Sequence, residues 1–177
     1  MANLSVSTFA KNGYGQVEPN HLSAQRTAQI YAQLPAADGI EKLENGQYVK
    51  YDYPNGVVNF TGDGEWMLVY NEEKLYKDYE TRKDYAMTKE SQVGGIIVPR
   101  VFKTNVGDIY TTNFVAAGEY EEGDKLIIGE NGVPTAVGEE TVAEGEEAVA
   151  IEGIVLQVVK NTTLPDGQAA VKLMRIQ

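Results

Sequence analysis

The sequence predicts a mainly β protein, and three observations lead there. From Gly94 onward, short runs rich in Val, Ile, Leu and Tyr recur with Gly, Asp or Asn turn signals about every ten residues. Between 47 and 60, two β-rich runs flank Asn55-Gly56, a dipeptide that tolerates the positive φ of tight hairpin turns. Only one stretch, 21–33, carries apolar residues at helical spacing. The expected architecture is a small β-barrel or β-sandwich C-terminal domain, preceded by an extended N-terminal arm, one short helix and a small β-meander.

Taken in order, residues 1–19 mix small polar residues with Gly13, Gly15 and Pro19 and lack apolar periodicity, which reads as an extended arm. Asn20 or Ser23 then supplies an N-cap. Leu22, Ala24, Thr27, Ala28, Ile30, Tyr31 and Leu34 follow at roughly helical spacing until Pro35 stops it. Gln47 to Tyr51, Val57 to Phe60 and Glu65 to Tyr70 read as the three strands of the meander. In the last of these, Trp66, Leu68 and Tyr70 fall on one face and Met67 and Val69 on the other. Apolar residues on both faces imply a strand covered on two sides, with Trp66 as a core anchor and the 21–33 helix as one cover. Residues 71–92 interleave five cations with acids and tyrosines and read as a solvated face of unassigned structure. Some of Tyr48, Tyr51, Tyr53, Tyr76, Tyr79 and Tyr85 are expected half exposed, at an interface or packed on a strand face within the protein. Beyond Gly94, strands are expected at 95–98, 101–102, 109–115, 125–128, 151–159 and 169–174, with turns at 121–124, 131–132, 144–146 and 165–167. Three regions result: 1–38 arm and helix, 39–92 meander with the charged segment, and 93–177 the C-terminal β domain.

The composition narrows function. In 177 residues, 42% are hydrophobic and 23% charged, so a core should form. The 26 acidic against 15 basic side chains give a formal charge of −11, which repels nucleic-acid phosphates. With no cysteine, disulfides, thiolate metal sites and cysteine nucleophiles are excluded. The single histidine, His21, removes His-rich metal sites, and a serine triad built on it with Ser5, Ser7, Ser23 or Ser91 would lack any Gly-x-Ser-x-Gly elbow. No basic start or long apolar core marks a signal peptide, and no apolar run approaches the roughly 20 residues that span a bilayer. The acidic clusters at 119–124 and 139–147 offer oxygen ligands to a hard cation but lack the ladder of a calcium loop, and acidic turns are ordinary in β domains. Gly13-Tyr14-Gly15 lacks the third glycine and the preceding strand of a phosphate loop. The reading is a protein without catalytic residues, cofactor or metal.

The order of signals from Gly118-Glu119-Tyr120-Glu121-Glu122-Gly123-Asp124-Lys125-Leu126, through Gly129-Glu130-Asn131-Gly132-Val133-Pro134 and Ile151-Glu152-Gly153-Ile154-Val155, to Gly167-Gln168-Ala169-Ala170-Val171-Lys172-Leu173 resembles the small β domains of tailed-bacteriophage capsid decoration, or cement, proteins. The likeness covers roughly 94–177. Asn3-Leu4-Ser5-Val6-Ser7 leading into 21–34 looks like the arm-plus-helix beginnings of phage head proteins, although the chain is longer than the most compact cement proteins. The resemblance implies a non-enzymatic auxiliary head protein, made in the host cytoplasm and bound to the major capsid protein on the outer surface of the virion. It also implies a capacity for self-association and no nucleic-acid or membrane partner. Leu4, Val6, Phe9 and Tyr14 of the arm and Leu22, Ile30 and Tyr31 of the helix are the expected partner-binding residues, and the acidic turns from 119 to 147 are expected to face solvent. Two alternatives stand beside this: the base of a head fibre, and a carbohydrate- or ligand-binding β-sandwich with a cleft around Trp66 and the tyrosines.

Overall fold

The computed structural model describes residues 14–24, 34–71, 86–137, 153–165 and 167–177. In chain order its strands are β1 Val17–His21, β2 Lys42–Glu44, β3 Tyr48–Asp52, β4 Val57–Asn59, β5 Met67–Val69, β6 Ala86–Thr88, β7 Val101–Phe102, β8 Ile109–Thr112, β9 Lys125–Ile128, β10 Pro134–Ala136, β11 Val155–Thr163 and β12 Ala169–Arg175. The protein is mainly β, as expected. A six-stranded sheet runs β1-β8-β12-β11-β9-β10, a four-stranded sheet β4-β3-β5-β7, and β2 pairs with β6 alone. Every strand pair is antiparallel.

Side-chain alternation builds the layers. On β3, Tyr48 enters one core and Val49 and Tyr51 a second; on β5, Leu68 takes the first side while Met67 and Val69 take the other. The first core lies between the four-stranded and six-stranded sheets, where Tyr48, Leu68, Tyr70 and Phe102 meet Tyr110, Leu126, Leu156, Val158, Val171 and Leu173. The second covers the opposite face of the four-stranded sheet with Ile40, Leu43, Met87 and Ile97. The two-faced burial of 65–70 is as the alternation implies. Leu34 and Ala36 pack at the margin of the second core, and residues 25–33 of the expected helix lie outside the described residues.

Several expectations need correction. The C-terminal stretch does not close as a barrel, because β1 and β10 end the six-stranded sheet without meeting. Its apolar face is covered by the four-stranded sheet, so one core draws on all three sequence regions. The arm is not free up to residue 19: Gly15 is buried and 17–21 pair with 109–112. That pairing keeps Asn20 and His21 extended, so the first helical residues are Ser23 and Ala24. The meander order fails because β3 is central. The free side of β4 is taken by residues 35–37, with Val58 N donating to Pro35 O at 2.8 Å and Ala37 N to Val58 O at 2.9 Å, so β5 pairs with β3. Residues 95–98 are not a strand, since Gly94 and Gly95 hold φ of 73° and 70°. In the turn after β3 only Gly56 takes positive φ, so four residues, not two, join β3 to β4. Tyr48 and Tyr51 are buried while Tyr53 is 67% exposed; Tyr76, Tyr79 and Tyr85 lie outside the described residues. Trp66 is a half-buried rim residue and not a core anchor.

At the centre of the first core, the Tyr48 and Tyr110 hydroxyls meet at 2.9 Å and join the facing sheets. Burial pushes the Tyr48 phenol up to about 12, and Thr104 is a further hydrogen-bond partner. Tyr110 is raised well above its ordinary value, first by burial and then by the adjacent Tyr48. A folded value above the unfolded one means that stability is complete below about pH 10 and lost as pH climbs toward about 12. Urea midpoints should therefore stay level up to about pH 10 and then fall. Tyr48→Phe strips Tyr110 of its hydroxyl partner and should cost about 1–3 kcal/mol, whereas Tyr110→Phe leaves Tyr48 with Thr104 and should cost less.

Candidate functional site

The most densely bonded polar region surrounds residues 14–24, where the chain enters the fold. The contacts that residues 14–23 make reach far along the sequence. Gly15 N donates to the buried Glu44 Oε2 at 2.6 Å, while Lys42 Nζ pairs with the other oxygen at 2.5 Å. Gln16 N donates to Asn113 Oδ1 at 2.6 Å, and Asn113 Nδ2 reaches Gln168 Oε1 at 3.2 Å and Tyr14 O at 3.4 Å. Thr112 Oγ1 donates to Gln16 O, and Thr111 Oγ1 to Asn20 Oδ1. At the far end the buried Asp108 accepts from Ser23 N at 2.8 Å, Ser23 Oγ at 3.0 Å and Asn105 N at 2.9 Å.

β8 ends in Thr111 and Thr112 and is followed by Asn113, and these polar side chains are buried where a β strand would ordinarily carry apolar ones. A buried polar group costs free energy unless bonded, so the run demands a partner strand that supplies backbone donors and acceptors. β1 is that partner. Among the described residues no buried side-chain nitrogen or oxygen lacks a hydrogen bond.

The expected partner-binding residues separate accordingly. Leu22 is 3% exposed and belongs to the first core, which corrects its assignment to a docking face. Tyr14 stands at the mouth of the clamp, 37% exposed, with Lys42 Nζ 5.1 Å from its ring centroid. Leu4, Val6, Phe9, Ile30 and Tyr31 lie outside the described residues. His21 is exposed at the end of β1. In the acidic turn, Asp124 Oδ2 accepts from Glu121 N at 2.7 Å, so one carboxylate of the cluster closes its own turn; the 139–147 cluster lies outside the described residues.

Two surface features escaped the sequence reading. Gly94 and Gly95 turn the chain so that Val93 and Ile96 project, 99% and 57% exposed. Beside them lies an open groove of about 450 Å³ lined by Ala36, Val57, Ile96, Asp52, Asn55 and Lys89 among others. The adjacent Gly-Gly pair was the available signal, because paired positive-φ positions expose their neighbours. By contrast, the face of Trp66 is taken by Lys50, whose Nζ sits 4.9 Å from the ring centroid.

No family model matches the chain, and comparison with curated proteins and with solved structures gave no match.

Asn113→Ala should detach the root of the N-terminal segment. It orphans Gln16 N and should lower urea stability by about 1–3 kcal/mol, with new proteolytic cleavage near residues 14–17 as the diagnostic readout.

Proposed function

We propose that this chain is a non-enzymatic structural protein of a tailed-phage particle, one that decorates or stabilises the head by binding the major capsid protein lattice on its outer surface. The observation that carries the reading is the clamp. Backbone groups of Gly15, Gln16 and Ser23 are bonded by the side chains of Glu44, Asp108, Thr112 and Asn113, which fixes residues 14–24 against the body of the fold. A segment anchored so firmly at its root and carrying Leu4, Val6 and Phe9 beyond it suits attachment to a protein surface. The exposed Val93 and Ile96, the latter lining the groove beside Ala36 and Val57, offer a second apolar contact. The charge of −11 and the acidic turn at 119–124 favour solvent over packaged nucleic acid. The sandwich-like facing of two sheets and the resemblance of 94–177 to cement-protein domains point the same way.

The carbohydrate-module alternative is less favoured, since Lys50 occupies the Trp66 face and Tyr48 and Tyr51 are buried. The base of a head fibre differs from decoration only in what stands on the domain.

Because residues 17–21 pair with β8, the proposed attachment segment is taken to end before them, and a pair of truncations tests the reading. Removing residues 2–12 spares the clamp and should leave the melting temperature nearly unchanged while abolishing binding to purified heads. Removing 2–19 also deletes Val17 and opens the first core, and should lower stability by several kcal/mol, in the range of about 2–5 for one lost large apolar side chain. Full head occupancy by the 2–12 deletion would exclude the segment as the anchor. An image reconstruction that places the chain inside the shell would overturn the proposal as a whole.

A further inference from the structure

Four Asn-Gly dipeptides occur, at 12–13, 45–46, 55–56 and 131–132. The same spontaneous chemistry is open to each. The glycine backbone nitrogen loses its proton and attacks Cγ of the preceding asparagine. A C–N bond forms, the side-chain nitrogen leaves as ammonia, and a five-membered succinimide results. Water then adds across either succinimide carbonyl, giving aspartate or isoaspartate. No oxidant or cofactor enters, and glycine is the most reactive successor because no Cβ shields its nitrogen. What distinguishes the sites is whether the fold lets the asparagine side chain swing onto that nitrogen.

Asn12-Gly13 lies outside the described residues, and two of the other three are locked. Asn45 is buried, with Oδ1 accepting from Asn71 N at 2.7 Å and Nδ2 donating to Asn71 O at 3.3 Å. Gly46 N donates to Val69 O at 3.0 Å, and a Cβ there would stand 2.7 Å from Thr112 Oγ1. At the second site Gly132 is buried so tightly that a Cβ would collide with the Tyr48 carbonyl. Its nitrogen donates to Gly129 O at 3.2 Å, and Asn131 O accepts from Gln47 Nε2 at 2.8 Å.

Asn55-Gly56 differs in every respect. Residues 53–56 are all exposed, and nothing lies within 4 Å of a Cβ built on Gly56. Gly56 N reaches only Tyr53 O, at 3.3 Å, beyond the usual range for such a bond. The one restraint on the Asn55 amide is local: Nδ2 donates to Asp52 Oδ2 at 2.9 Å and Oδ1 at 3.0 Å. We propose that Asn55 is the spontaneous deamidation site among the described Asn-Gly pairs of the folded protein, and that Asp52 sets its rate as a positioning residue by holding the leaving amide away from Gly56 N. Conversion replaces a donor to Asp52 with a second carboxylate. The turn that closes β3 and β4 then holds two like charges at contact distance, and the groove beside Ala36, Val57 and Ile96 gains a negative charge.

The test is peptide mapping by mass spectrometry, with isoaspartate labelling, of the intact chain held warm at mildly alkaline pH. Asn55 should convert at least about tenfold faster than Asn45 or Asn131, a barrier difference of ~1.4 kcal/mol. In denaturant the three rates should converge. Asp52→Ala, which removes the acceptor, and Asp52→Asn, which keeps its shape without its charge, should each speed conversion at Asn55 several-fold. Slow conversion at 45 and 131 in the same sample certifies that either variant is folded. Conversion at 45 or 131 as fast as at 55 in the folded chain would overturn the site, and unchanged Asn55 rates in both folded variants would overturn the role of Asp52.

Discussion

The rest of the structure depends on the hydroxyl bridge between Tyr48 and Tyr110. Two sheets that face each other through apolar side chains alone can slide, because dispersion and the hydrophobic effect have no direction. A buried phenol pair at 2.9 Å has direction. Sliding either sheet by a residue would leave two hydroxyls unpaired in a dry core, at a cost comparable with a large fraction of a domain's stability. Tyr48 is held from several sides: its ring fills the first core, its hydroxyl meets Tyr110 and Thr104, and its backbone is pressed by Gly132 from the β9–β10 hairpin. Arg175 closes the periphery by donating to both Thr104 O and Thr104 Oγ1. Register in β3 thus propagates to β8, to the hairpin at 129–133 and to the end of β12.

The N-terminal strand follows from that registry and not from its own propensity. Once β8 is fixed, Thr111, Thr112 and Asn113 present buried polar groups along its open edge, and only a strand able to bond them can settle there. Val17-Glu18-Pro19-Asn20-His21 does so with a single fully apolar contact and a register shift after Pro19. Its specificity is polar where the central strands rely on packing. This is the arrangement expected of a segment whose exit point matters more than its contribution to the core.

How far the sequence revealed these elements depended on where each one's stabilisation lies. β3, β4, β5, β8, β9 and β12 carry their own alternation and Gly or Asn turn signals, so they were legible, as was the opposition of Trp66, Leu68 and Tyr70 to Met67 and Val69. β1 was not, because its partners lie about ninety residues away and Pro19 argues locally against a strand. β10, whose partner β9 is close in sequence, was missed because it begins at Pro134. Leu22 has the spacing of a helix face, yet its burial comes from the sheet beneath it. Tyr48 alternates with charge just as Tyr53 does, and only the facing sheet decides that one is buried and the other not. Of the candidate site, Tyr14 was legible only as part of an arm read as running to residue 19, and the clamp around it was not, since Glu44, Asp108 and Asn113 carry no motif.

An open six-stranded sheet also has to protect its ends, a demand that a closed barrel would not make. The edges here are defended by proline and by coverage. Pro19 sits within β1 and Pro134 opens β10, so both terminal strands of the large sheet lack a donor where a foreign strand would seek one. In the four-stranded sheet, Pro35 to Ala37 lie along β4, and β7 at the other end is only two residues long. A protein proposed to stand at high local density on a repeating lattice needs such protection, because edge-to-edge pairing with neighbouring copies would compete with attachment. The distribution of three of the chain's six prolines fits that need better than it fits any turn grammar. With the edges so protected, the proposed attachment would rest on side-chain contacts at the N-terminal root and at Val93 and Ile96 and not on strand addition.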